Sequence, residues 1–227
     1  MDKCTLRLWD LARGVRCLFT LEGHTDTIHC VVELDDGRVA SGSGDNTIKV
    51  WEMRRGGDKL TLQGHEQPVT CVAELPGKRL LSGSEDCTVR VWTTARAASP
   101  SAANRRCILT LQGHERAVLC AAGLEDERVV SGSADKTVRV WSLRGGGSCV
   151  LLLEGHLAGV DRVMELESGK IVTGSRDKTL RMWNLTNGGE CVLTLEGHKS
   201  IVSCVAELQD GRVVSGSSDT TLRVWGE

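Results

Sequence analysis

The sequence predicts an all-β protein built from about five copies of one four-stranded antiparallel unit. A frame of Gly-His, Ser or Thr, Asp and Trp returns five times, and the last three follow the His by 17, 21 and 27 residues in every copy. Successive frame histidines lie 41, 49, 42 and 42 residues apart, a period typical of repeat proteins. Short β-rich runs separated by turn signals fill each copy, and no run has a long helical period.

Each copy is predicted to contain four strands, which in the first copy are segments 17–21, 28–34, 38–43 and 47–51. The Asp36-Gly37 dipeptide between the second and third segments is a hairpin signal. The fourth segment alternates apolar and polar residues up to its Trp, as a half-exposed antiparallel strand does.

The whole chain, residues 1–227, is expected to form one domain of full repeats and one partial repeat. Cys4–Trp9 aligns with Cys87–Trp92, so the chain begins within a repeat. Residues 93–106 lengthen one interval, are rich in Ala and Ser, and are predicted to form an inserted loop. The full repeats are about 17–51, 58–92, 107–141, 149–183 and 191–225, and the partial repeat is 1–9.

Charge and aromatic content argue against several classes of partner. The chain has 28 basic and 30 acidic residues, for a net charge of −2, so neither nucleic acid nor an anionic membrane is expected to bind. Six Trp and one Phe leave no aromatic platform outside the repeat frame. Without an apolar run of membrane-spanning length or a signal-peptide pattern, the expected location is the cytoplasm, with the nucleus as an alternative.

The ten cysteines occupy equivalent positions in different copies. They should therefore lie a whole repeat apart, which is too far for a disulfide. No Cys-x-x-Cys pair occurs, which weakens a zinc interpretation. The cysteines are predicted to be small buried apolar side chains in a reducing compartment, and neither a metal nor a cofactor is expected.

The run from Ser131 to Trp141, Ser-Gly-Ser-Ala-Asp-Lys-Thr-Val-Arg-Val-Trp, resembles the repeats of WD-repeat β-propellers. The repeats are also similar to those of F-box substrate receptors and of arrays fused to signalling ATPases. The resemblance implies a propeller of about five four-stranded antiparallel blades plus a partial N-terminal repeat.

The number of copies departs from the family, in which seven blades are most common. In one interpretation residues 17–21 supply the outer strand of the last blade and close a five-bladed ring. In the other, which we favour, the chain is a piece of a larger propeller. Such a piece is open at both ends, and its open edges can self-associate.

The resemblance also implies that the frame residues of each copy form a buried hydrogen-bond chain from Trp to Ser or Thr, then His, then Asp. His, Ser and Asp have the composition of a hydrolase triad, but a fivefold recurrence favours structure, and no catalytic residue is expected. The predicted tetrads are His24, Ser41, Asp45, Trp51; His65, Ser82, Asp86, Trp92; His114, Ser131, Asp135, Trp141; His156, Thr173, Asp177, Trp183; and His198, Ser215, Asp219, Trp225.

In WD-repeat proteins the usual contact surface is the narrow face around the channel, so the resemblance assigns three positions per copy to partner binding. They are Thr27, His29, Gly44; Pro68, Thr70, Glu85; Ala117, Leu119, Ala134; Gly159, Asp161, Arg176; and Ile201, Ser203, Ser218. Leu119 and Ile201 are candidate apolar anchors. The set lacks the Arg cluster that would select a phosphopeptide, and His29 is a rim residue without a second ligand beside it.

The expected function is a non-catalytic scaffold that presents a propeller face to peptides or other proteins. It could act as the recognition array of a larger signalling or ubiquitin-ligase assembly. The alternative is a propeller-type hydrolase or lyase that uses an acid at the channel mouth, such as Asp161 or Glu85.

Overall fold

The computed structural model describes residues 4–12, 14–53, 59–95, 106–186 and 188–226. It confirms the expected all-β class. Short 3₁₀ turns at Glu125–Glu127 and Arg144–Gly146 accompany the strands, and within the described residues no helix is long and apolar enough to span a membrane. The strands are β1 Thr5–Asp10, β2 Arg16–Glu22, β3 Ile28–Glu33, β4 Val39–Ser43, β5 Ile48–Trp51, β6 Lys59–Leu62, β7 Val69–Leu75, β8 Arg79–Ser84, β9 Val89–Thr93, β10 Cys107–Leu111, β11 Val118–Gly123, β12 Arg128–Ser133, β13 Val138–Ser142, β14 Ser148–Leu153, β15 Val160–Glu165, β16 Ile171–Ser175, β17 Leu180–Asn184, β18 Glu190–Leu195, β19 Val202–Glu207, β20 Val213–Ser217 and β21 Leu222–Trp225.

The strands form consecutive antiparallel sheets, which are the blades of a β-propeller. Blade 1 is β3–β6, blade 2 is β7–β10, blade 3 is β11–β14 and blade 4 is β15–β18. Blade 5 contains β19, β20 and β21. Strand order follows chain order within every blade, so each sheet is a meander of local hairpins.

The N-terminal strands form a separate two-stranded sheet. β1 and β2 pair with each other, with Leu6 opposite Leu21. Segment 17–21 therefore completes the partial repeat in this structure and does not complete blade 5. Residues 1–3 of the partial repeat lie outside the described residues.

The predicted inserted loop falls largely outside the described residues, at positions 96–105. Its two ends are close together, because the backbone N–H of Thr93 donates to the carbonyl of Arg106 at 2.9 Å. The chain thus leaves β9 and returns to β10 at the same point of blade 2, as an insertion into a hairpin requires.

Among the described residues the apolar core lies between blades, in four clusters that each join two consecutive blades. Between blades 3 and 4, Val138 and Val140 of β13 pack with Val160, Ile171 and Trp183 of the next blade. The other three clusters repeat this arrangement between blades 1 and 2, 2 and 3, and 4 and 5. A single sheet must cover its apolar face with another layer, so each blade is stabilised mainly by its neighbours.

A glycine in the second strand of blades 1 to 4 allows this close approach. A Cβ on Gly132 would lie 2.7 Å from the Sγ of Cys120 and 2.7 Å from Val160 of the next blade. Real Cβ atoms do not approach other atoms so closely, and the site therefore excludes a side chain. Gly42, Gly83 and Gly174 meet the corresponding valine of the following blade in the same way.

The cysteines are free thiols, as the repeat spacing predicts, but the expectation that all of them are buried is wrong. Only Cys120 is buried, whereas Cys17, Cys149 and Cys204 are exposed and the others are half-buried. Cys17 and Cys149 lie in strands at the outer edge of their sheets, and none of the described strands pairs beyond them. Burial raises the pKa of Cys30 to about 12, so that thiol is unreactive at neutral pH.

Candidate functional site

The frame residues of each copy form one continuous hydrogen-bond chain. In blade 3 the indole N–H of Trp141 donates to Ser131 Oγ at 2.8 Å. Ser131 Oγ lies 2.8 Å from His114 Nε2, and His114 Nδ1 lies 2.8 Å from Asp135 Oδ2. The other four copies make the equivalent contacts, with Thr173 Oγ1 in place of the serine hydroxyl in blade 4.

The contacts allow only one consistent direction for the protons when the imidazole is neutral. The carboxylate of Asp135 can only accept, so His114 Nδ1 carries the hydrogen and Nε2 accepts from Ser131 Oγ. Ser131 Oγ then accepts from Trp141. Every donor in the chain has an acceptor, which is what a buried polar group requires.

Each blade gathers the four side chains from different parts of its sheet. His114 precedes the inner strand β11, Ser131 lies on β12, Asp135 lies in the β12–β13 turn and Trp141 lies on β13. The chain of contacts therefore ties the loop before the inner strand to the middle of the sheet. Thr137 holds the carboxylate of Asp135 from the same turn, through its N–H at 2.9 Å and its hydroxyl at 2.6 Å.

The glycine before each frame histidine is required by conformation and by space. Gly113 has φ +152°, in the region that disfavours side chains, and a Cβ there would lie 3.1 Å from Arg139 and 3.2 Å from Trp141. The Arg139 guanidinium lies above the Trp141 ring, 5.9 Å from its centroid. The Gly-His pair thus seats the histidine directly against the tryptophan.

The environment holds the carboxylate charged and the imidazole neutral. Burial works against ionisation of Asp135, but hydrogen bonds from Thr137 and His114 outweigh it and lower the pKa to about 2. Asp45 is lowered to about 2 by the equivalent contacts. Burial lowers the pKa of His24 and His114 below the ordinary 6.5, even though an aspartate faces each ring.

The buried position of the hydroxyl limits what chemistry the tetrad can perform. Ser131 has no exposed surface and its Oγ already contacts Trp141 and His114. A substrate carbonyl cannot reach this oxygen unless the blade opens. The geometry suits a clamp within the sheet, which is the role the sequence predicts.

Acidification is expected to destabilise the protein in two steps. The folded-state pKa values of His24 and His114 are depressed, so the unfolded chain binds more protons once the pH falls below about 6.5. The contribution of these two histidines to the free energy of unfolding is complete above that pH. It is lost as the pH falls through their folded-state pKa values. Asp45 and Asp135 act in the same direction between 3.8 and about 2.

Thermal unfolding followed by circular dichroism from pH 8 to pH 3 measures this dependence. The midpoint should be flat above neutrality and should begin to fall before any aspartate titrates. A midpoint that rises between pH 7 and pH 5.5 would contradict the assignment of neutral buried imidazoles.

The structure joins two of the three predicted partner-binding positions in each copy by a backbone hydrogen bond. In blade 4 the N–H of Arg176 donates to the carbonyl of Gly159 at 2.9 Å. The equivalent pairs are Gly44 with Thr27, Glu85 with Pro68, Ala134 with Ala117, and Ser218 with Ile201. The third position, at Asp161 in blade 4, follows on the inner strand.

The fifteen positions differ in how much surface they offer. Gly159 is buried, and a second group is half-buried, namely Thr27, Gly44, Pro68, Thr70, Ala117, Leu119, Ala134 and Asp161. The exposed positions are His29, Glu85, Arg176, Ile201, Ser203 and Ser218. The hydroxyl of Thr70 is already bonded within the fold, since it donates to the carbonyl of Val118 in the next blade at 2.6 Å.

Four of the predicted positions line a shallow pocket between blades 4 and 5. Its residues are Asp161, Arg162, Arg176, Ile201 and Ser203. Arg176 donates to both carboxylate oxygens of Asp161, from Nε at 2.9 Å to Oδ2 and from Nη2 at 3.0 Å to Oδ1. Asp161 is thus already paired, which does not favour it as a catalytic acid.

Arg162 is the pocket residue that the sequence reasoning missed. It occupies the position at which the other four copies carry Cys, so its departure from the repeat was a usable signal. Its Nη1 donates to the carbonyl of Asp161 at 2.7 Å. Leu119 borders the same region, because its Cδ1 lies 3.3 Å from the point where a Cβ on Gly159 would sit.

Residues that could hold a metal ion do not converge in the described part of the chain, where no group of three His, Cys, Asp or Glu side chains is found. His29 is exposed on the inner strand β3.

Comparison with known proteins places the repeats in a family. The model of the family "WD domain, G-beta repeat" (WD40) matches residues 15–52, 56–93, 105–142, 147–184 and 189–226. The solved WD40 β-propeller domain of Doa1 superposes with a TM-score of 0.78 at 27% identity, over 93% of this chain and 67% of that chain.

Curated relatives match over little more than one repeat. Mitochondrial division protein 1 of Aspergillus clavatus is 43% identical over 51 residues, 22% of this chain and 8% of that protein. The protein of the same name from Schizosaccharomyces pombe is 39% identical over 49 residues, 22% of this chain and 7% of that protein. The chain therefore matches only about 8% of the length of these relatives. With the family model covering five repeats along most of the sequence, this chain belongs to the WD40 repeat family.

Proposed function

We propose that the surface formed by Leu119, Asp161, Arg162, Arg176 and Ile201 binds a peptide segment of a protein partner. WD40 propellers are generally non-catalytic scaffolds that bind proteins or peptides, and the family match gives this chain that general role. The observation that carries the finer proposal is the pocket between blades 4 and 5, because it gathers predicted contact residues of two blades around one ion pair.

The chemistry of this surface favours a partner with an apolar anchor and few charges. Ile201 lines the pocket together with Arg176, and Leu119 and Arg176 both approach the position that a Cβ on Gly159 would take. The carboxylate of Asp161 neutralises Arg176 and orients its guanidinium. A phosphate is disfavoured at Arg176, since it would have to compete with Asp161 for that guanidinium.

Two substitutions test the surface. Leu119→Asp and Arg176→Glu are each expected to abolish partner capture in a pull-down while the far-UV circular dichroism spectrum stays unchanged. Leu152→Asp on the exposed side of β14 and Arg144→Glu in a distant turn are the matched controls. If both surface variants capture partners as the unchanged protein does, the contact surface lies elsewhere.

The array is further proposed to serve as the recognition part of a larger cytoplasmic assembly of the signalling or ubiquitin-ligase kind. Support comes from the repeat type and from the non-catalytic geometry of the tetrads. The likeness to mitochondrial division protein 1 extends over 51 residues only, so it supports the repeat and does not choose the assembly. Pull-downs that use the unchanged protein and Arg176→Glu as separate baits test this step. The proteins that the unchanged protein captures and the variant does not are then identified.

A further inference from the structure

Arg162 brings an unneutralised positive charge to the inner strand of blade 4. It lies on β15, at the position where the other four copies carry cysteine, and it is exposed. In the part of the chain that the structure describes, Arg162 takes part in no ion pair, and its Nη1 donates to the backbone carbonyl of Asp161 at 2.7 Å. A guanidinium has five N–H donors, so most of them remain available to a ligand.

The neighbouring carboxylate does not neutralise this charge, because it is bonded to another cation. Both oxygens of Asp161 accept from Arg176, at 2.9 and 3.0 Å. The lining of the pocket between blades 4 and 5 contains Arg162, Arg176 and one acid, Asp161. The lining therefore carries one excess positive charge, and that charge is on Arg162.

The charge of Arg162 acts towards the inner strands of blades 2 and 3. Burial raises the pKa of Cys71 on β7 to about 11 and raises that of Cys120 on β11 well above its ordinary value, while the positive charge of Arg162 opposes both shifts. Both thiols are neutral at neutral pH, so neither supplies an anion to Arg162. Blades 3 and 5 flank blade 4, so these surroundings do not depend on either end of the chain.

A single carboxylate fits this site better than a phosphate does. One guanidinium can donate two parallel hydrogen bonds to a carboxylate, whose single charge matches the excess charge of the lining. A phosphate group carries a charge of about −1.5 to −2 and would be repelled by Asp161 in the same pocket. The pocket is shallow, which suits a side chain of a peptide that continues past it in both directions.

We propose that Arg162 binds the side-chain carboxylate of a Glu or Asp in the partner peptide, next to the apolar residue that contacts Leu119. The inference rests on the proposed peptide-binding surface and adds the one charged group that the partner must carry. Arg176 stays paired with Asp161, and Arg162 determines the specificity for the acid.

Selection of peptides from a random displayed library tests this specificity. Peptides captured by the unchanged protein are expected to be enriched in Glu or Asp beside a large apolar residue. With Arg162→Glu as the target, the enrichment should change from acidic to basic residues while the apolar preference remains. Arg116, exposed in the loop before β11, provides the matched control, and Arg116→Glu should leave the acidic preference unchanged.

Calorimetric titration of one selected peptide measures the contact itself. Replacing the acid of the peptide by its amide should weaken binding to the unchanged protein about tenfold or more, whereas Arg162→Gln should bind the two forms within about twofold of each other. A form with phosphoserine in place of the acid should bind the unchanged protein more weakly than the acid form. Every peptide carries a C-terminal amide, so a terminal carboxylate cannot supply the contact.

The inference and the proposed peptide-binding surface fail in different ways. Peptides that need Leu119 but bind equally well as acid and amide, or that prefer phosphoserine, overturn the assignment of Arg162 and leave the surface standing. Equal loss of the acidic preference in Arg116→Glu overturns it as well. Peptides that bind Leu119→Asp and Arg176→Glu as they bind the unchanged protein overturn both proposals, and so does a library from which the unchanged protein selects no peptide.

Discussion

Replacing Trp141 with alanine is expected to lower the free energy of unfolding by about 3–5 kcal/mol. The side chain is 1% exposed and packs in the cluster between blades 2 and 3. Its loss leaves a cavity between two blades and removes the indole donor to Ser131. Urea unfolding followed by far-UV circular dichroism measures the change.

Trp9 provides the matched control within the same chain. It holds the same repeat position, but its partial repeat has no frame His or Ser, and it is 47% exposed. Trp9→Ala is expected to change the unfolding free energy by no more than about 0.5 kcal/mol. If both variants lost the same free energy of unfolding, the tetrad and the contact between blades would contribute nothing to the stabilising effect of Trp141.

The tetrads were accessible from sequence because their spacing is rigid. A hydroxyl, a carboxylate and an indole follow the His at 17, 21 and 27 residues in five copies without any insertion, which marks the positions, and the resemblance to WD-repeat propellers implies that their side chains meet. The strand boundaries follow from the same frame. Where the frame is constant the sequence therefore predicts structure closely, and His114, Ser131 and Asp135 meet as the repeat implies.

The strand that pairs with β2 could not be predicted from the sequence in that way. The residues of β2 suit β1 and β21 equally, because those strands share four of five residues from Thr to Trp. A pattern of residue types cannot choose between two equivalent edges. The short connection between β1 and β2 makes their pairing entropically cheap, and this explains the arrangement in the structure.

The partner-binding surface could be predicted only in part from the sequence. The repeat frame locates the rim positions, but whether a rim side chain is free depends on contacts between blades. Thr70 donates to the next blade and Arg176 pairs with Asp161, and neither contact follows from spacing. Arg162 was missed because its position is occupied by a small cysteine in the other copies.

Leu180→Ala is expected to lower the unfolding free energy by about 2–5 kcal/mol, and Leu222→Ala to change it by no more than about 0.5 kcal/mol. The two leucines occupy one repeat position and differ in burial. Leu180 packs between blades 4 and 5, whereas no described blade covers Leu222. Urea unfolding followed by far-UV circular dichroism measures both values. A cost for Leu222→Ala as large as the cost for Leu180→Ala would contradict the difference in burial between these two residues.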